Sequence, residues 1–129
     1  MRLLLDTHTF IWWDSEPAKL SAQALALCRD PQNSLLLSVA SVWEMQIKLQ
    51  LDKLKLTLPL SELIESQQQQ TNHLEILPIL LPHVLALQYL PAHHKDPFDR
   101  LLIAQSNVED VIIVSNDPMF PKYTNKVLW

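Results

Sequence analysis

The sequence contains no glycine. Phosphate cradles built on glycine backbone, the P-loop and the dinucleotide fingerprint among them, are therefore excluded. A single cysteine, Cys28, excludes an intrachain disulfide and any zinc site made of several thiolates. It fits a reducing compartment and a small buried apolar role. No apolar run is long enough to span a membrane. Asp6 interrupts the opening apolar run too early for a secretory leader. Basic residues are the minority: ten Lys and Arg against fourteen Asp and Glu give a net charge of −4. At face value that balance speaks against a simple basic nucleic-acid binder.

What is present reads as one folded domain over residues 1–129, with 48% apolar and 19% charged residues. Short apolar runs over Leu3–Leu5, Leu35–Leu37, Leu74–Ile79 and Val111–Val114 read as buried strands, with a last one over Lys126–Leu128. Helices are expected from Ser21 to about Arg29, from Val39 to Leu51, from near Ser61 into the glutamines 67–70, from Pro82 to Leu90 and from Pro97 to Asn107. The Asp96-Pro97 pair is a strong helix start. Strands alternating with helices predict an α/β fold, a parallel sheet with helices on both faces.

Five acids stand out from the solvated remainder. Asp6 directly follows the first strand, and Asp117 follows the fourth with two residues between. Groups just past the carboxyl ends of parallel strands share the edge where ligands bind. Glu44 lies in the helix after the second strand, and Asp96 and Asp99 open the last long helix. Each also has a structural reading: Asp6, Asp96 and Asp117 as caps, Glu44 in a capping box with Ser41. For Asp96 the cap comes first. Together they pose a charge problem, since two unit charges 4 Å apart cost about 4 kcal/mol at an effective dielectric of 20. A cation resolves it, and an oxygen-only donor set selects Mg²⁺ or Mn²⁺, one ion or two. Two such ions add about four positive charges, so the acidic balance no longer excludes a nucleic acid.

Four segments, LLLDTHTFIWW, SVASVWEMQIKLQLDKLKL, HHKDPFDRLLIAQ and VSNDPMF followed by VLW, resemble the PIN-domain ribonucleases, in order and over the whole chain. Within them the chain resembles the toxins of VapBC-type toxin–antitoxin pairs. The resemblance implies a PIN-like three-layer sandwich with a short parallel sheet. It implies a cytoplasmic, Mg²⁺- or Mn²⁺-dependent endoribonuclease that hydrolyses RNA with a metal-activated water. It also implies inhibition by a cognate antitoxin and a homodimer. The family's catalytic, metal-binding acids fall on Asp6, Glu44, Asp99 and Asp117, with Asp96 as an accessory acid and Ser115 as the hydroxyl that orients them. Three departures stand out: Gln50-Leu51-Asp52 and Asn72-His73 where relatives carry glycine, and Asn116 where a basic residue is common.

His93, His94, Lys95 and Arg100 surround the Asp96–Asp99 pair and are candidates to hold RNA phosphates, against the alternative of a solvated loop. His8 reads as a structural or partner contact. Lys48, Lys53 and Lys55 read as a solvated face. Trp12, Trp13 and Trp43 read as core, with one of the adjacent pair facing a partner. Three other functions compete with this one. A phosphatase of the haloacid dehalogenase type needs an acid where His8 stands. A receiver domain needs paired acids after the first strand and a late lysine. A catalytically degenerate PIN module would bind RNA or a protein without cutting.

Overall fold

The computed structural model describes residues 1–70, 74–93, 95–124 and 126–129. Asn72, His73 and His94 lie outside them. The strands are β1 (Arg2–Leu5), β2 (Ser34–Ser38), β3 (Glu75–Leu77), β4 (Ile112–Val114) and β5 (Val127–Leu128). They form one sheet in the order β3-β2-β1-β4-β5, and every pairing is parallel. Leu3 stands between Leu35 and Ile112, and Leu5 between Leu37 and Val114. The helices are α1 (Thr7–Ser15), α2 (Ala22–Arg29), α3 (Val39–Gln50), α4 (Leu60–Gln70), α5 (Leu81–Ala86) and α6 (Pro97–Glu109).

Strand side chains alternate between faces, and both faces are covered, which is why β1 and β2 are runs of leucine rather than alternating patterns. Leu3, Leu5, Leu35 and Leu37 pack with Phe10 of α1, Ala24 and Cys28 of α2 and Leu63 of α4. Leu4 and Leu36 pack on the other face with Leu101, Leu102 and Ile103 of α6 and with Phe120. The result is the expected three-layer α/β arrangement. From β1 the chain runs outward through β2 and β3, then returns to β4 on the other side of β1. That reversal opens a crevice at the carboxyl ends of β1 and β4.

Several local expectations change. α1 follows Asp6 directly. β3 is shorter than the apolar run, because Pro78 has no N–H to continue a ladder. The segment from Pro82 to Leu90 is not one helix: α5 gives way to a 3₁₀ turn over Leu87–Tyr89. Ser38, not Ser41, caps α3, so Glu44 is not part of a capping box. Asp117 caps no long helix, and its Oδ1 instead accepts the Met119 N–H within a turn. Trp43 is 59% exposed and is not core. Trp12 and Trp13 both lie half-buried against the first core cluster. Where the backbone turns left-handed, at φ 55°, aspartates 52 and 110 serve. Aspartate tolerates that region better than most residues, so the turn at Asp52 forms without glycine.

Candidate active site

Asp6 is placed by two hydrogen bonds. Its Oδ1 accepts the Thr9 N–H at 2.7 Å, which caps α1, and its Oδ2 accepts the Ser115 hydroxyl. The side chain is buried, and burial pushes its carboxyl above the usual carboxylate range, with the Ser115 and Thr9 hydrogen bonds opposing that rise. Ser115 follows β4 immediately, and its Oγ also accepts the Asp117 N–H at 3.0 Å. One buried hydroxyl thus ties the segments after β1 and β4 together.

Glu44 reaches the same edge from α3. One of its oxygens lies 2.7 Å from the Thr7 hydroxyl, which also lies 3.0 Å from Ser41 Oγ. The other pairs with Lys48 Nζ at 3.0 Å, one helical turn on. Asp96 caps α6, accepting from the N–H groups of Phe98 at 2.8 Å and Asp99 at 3.1 Å. The amino end of α6 carries the positive end of its dipole, which favours these two carboxylates there.

All five acids line one cavity of about 350 Å³, with Thr7, His8, Lys48, Asn116 and Pro118. Ser115, 2% exposed, sits behind the wall. Of the four candidate phosphate contacts, His94 lies outside the described residues, and His93, Lys95 and Arg100 do not line the cavity. The Arg100 guanidinium donates to the carbonyls of Pro91 at 2.9 Å and Leu87 at 3.5 Å and to the Tyr123 hydroxyl at 3.3 Å, which holds it in the loop structure. His93 sets its ring 5.3 Å from Tyr123, and Lys95 is exposed. Thr7, His8 and Lys48 line the cavity without having been expected there. For Lys48 a signal existed, its position four residues after Glu44 on a helix.

The donor set is oxygen alone, which suits a hard divalent cation. Among the described residues no three His, Cys, Asp or Glu side chains stand ready to close around one ion. Mg²⁺ seldom needs such a cage: it keeps several waters and takes one or two carboxylates plus substrate phosphates. An open acidic cavity with one carboxyl disfavoured as an anion by burial fits that mode.

The fold and the acid-lined crevice at its sheet edge define a class, and the family model agrees. The PIN domain model matches residues 3–126, and the chain belongs to the PIN domain family. A search of curated protein sequences finds no match. Among solved structures, the chain is similar to a chain of VapBC2 from Rickettsia felis bound to a DNA fragment from its promoter. That pair has a TM-score of 0.71 and 16% identity, over 99% of this chain and 96% of the other. It is also similar to a toxin–antitoxin complex from Klebsiella pneumoniae, with a TM-score of 0.60 and 13% identity over 98% and 96% of the two chains. FitAcB from Neisseria gonorrhoeae gives 0.58 and 16% over 92% and 89%. At these identities the likeness is one of fold.

Proposed function

We propose that this chain, acting as one domain, is a divalent-cation-dependent endoribonuclease and the toxin of a toxin–antitoxin pair. One observation carries the reading: carboxylates from four separate parts of a PIN fold line a single cavity at the carboxyl ends of β1 and β4. Asp6, Glu44, Asp99 and Asp117 would hold Mg²⁺ or Mn²⁺, with Asp96 beside them. When bound, such a cation activates water and offsets charge on phosphoryl oxygens. The chain's own residues prepare the site. Ser115 fixes Asp6 and positions the Asp117 backbone, and the Thr7 hydroxyl orients Glu44. Lys48, paired with Glu44 at the cavity wall, would be the cationic side chain that meets an RNA phosphate. Hydrolysis adds water across the phosphodiester and leaves 5′-phosphate and 3′-hydroxyl ends.

The solved structures with this fold include toxin–antitoxin complexes, which supports an antitoxin as partner. Exposed Leu81, Leu85 and Tyr89 offer apolar surface for the second copy of a homodimer. No helix among the described residues is long and apolar enough to cross a membrane; the proposed place of action, on RNA in the cytoplasm, follows from the toxin reading.

The test is cleavage of a pool of structured RNAs by the purified chain, with and without Mn²⁺. Cleavage that needs the metal and is lost in both Asp6→Asn and Asp99→Asn, each still folded, is the expected result. RNA binding without cleavage under any metal would instead assign a non-catalytic PIN module.

A further inference from the structure

We infer that two aromatic platforms beside the acidic cavity, the His8 ring on α1 and the Trp43 ring on α3, stack the bases of a single RNA strand next to the bond to be cut. The inference rests on the nuclease reading and adds to it the residues that hold the substrate. The His8 side chain lines the cavity and is exposed. Its ring is stacked on Trp12 at 5.8 Å and 21°, and Trp12 is itself braced by the edge of Trp129 at 6.0 Å. Trp43 directly precedes Glu44, and its ring meets Phe98, which directly precedes Asp99, at 5.2 Å and 84°. At 59% exposed, Trp43 keeps most of a large ring in solvent while an edge contact fixes its plane. Each platform is therefore orientated, open and adjacent to cavity acids, one on α1 and one bridging α3 and α6.

Charge explains why rings are needed. Among the described residues, five carboxylates line the cavity, and Lys48 is its one permanently cationic side chain. The Arg100 guanidinium is held by other groups. A strand cannot be gripped here through its phosphates alone, as it is in a basic groove. Ring stacking is sequence-tolerant and needs no positive charge. It does need unstacked bases, so a duplex is a poor ligand.

The experiment uses Asp99→Asn full-length protein in Mg²⁺, so that the ligand is not consumed. Binding of heptauridylate, heptaadenylate and an abasic ribose-phosphate heptamer is read by anisotropy and by tryptophan quenching. Both base-bearing strands should bind at least about tenfold more tightly than the abasic chain, within the range base–ring stacking supports. Trp43→Leu and His8→Ala should each lose about tenfold, Trp43→Tyr and His8→Phe should retain binding, and Trp43→Leu should remove most of the quench. Equal binding of all three heptamers, unchanged in the variants, overturns the stacking role while leaving the nuclease reading intact. Failure of every heptamer to bind overturns the stacking role, while the nuclease reading is judged separately by metal-dependent cleavage in the parent. Unchanged RNA binding in Trp43→Leu, with loss of self-association seen in the parent, assigns that ring to a protein interface and also overturns the proposal.

Discussion

Asp6 performs two tasks with one carboxylate. It caps α1 through the Thr9 N–H and presents charge to the cavity. Burial raises its pKa in the folded chain above the value of about 3.9 for an unfolded aspartate. For an acid shifted in that direction, folding is penalised as pH rises from the unfolded value through the folded one, because the unfolded chain releases the proton first. Asparagine caps as well as aspartate and carries no charge. Asp6→Asn should therefore melt a few degrees above the parent at pH 8 in excess chelator, and the gap should close near pH 3. Thermal melts across that range check it, and a gap that does not change with pH would remove burial as the cause. Thr7 is the second residue with a clear consequence. Thr7→Val deletes the hydroxyl beside buried Glu44, and equilibrium denaturation should show a loss of about 1–2 kcal/mol, largely restored in Thr7→Ser.

At the scale of elements, α6 is both scaffold and wall. Asp96→Ala should cost about 1 kcal/mol through the lost cap, whereas Asp96→Asn should cost little stability. Denaturation of the two variants separates the cap from the charge, and a loss of activity in Asp96→Asn at full stability would mark the acid as part of the site. A buried polar clamp joins α5 to α6: His83, fully buried, accepts the Leu80 N–H at Nδ1 and sets Nε2 2.8 Å from Glu109. His83→Leu strands both partners and should lower stability by about 2 kcal/mol. β1, β2 and β4 were legible because strands buried on both faces read as unbroken apolar runs. The acids were legible because strand ends fix where the next residue lands. α1 is not legible in the sequence because its apolar residues are crowded into Phe10 to Trp13 instead of spaced along one face. Arg100 neighbours Asp99 in sequence yet does not line the cavity, because consecutive residues on a helix point apart. Trp43 misled because an apolar pattern does not reveal which ring is left uncovered.

The whole molecule carries a net charge of −4 and gathers five carboxylates around one cavity. Such crowding is unfavourable in the bare protein and becomes favourable once a divalent cation is bound, by linkage of binding to folding. The acidic composition and the proposed action on RNA are then two sides of one arrangement, since the cation reverses the local charge that a phosphodiester meets. The most direct measurement is a Mn²⁺ titration of the chelated protein, with melting temperature and RNA cleavage followed on the same samples. The account predicts that both rise over one concentration range in the parent and that both responses are lost in Asp99→Asn. Cleavage that persists in excess chelator, or a melting temperature that rises equally in Asp99→Asn, would contradict it.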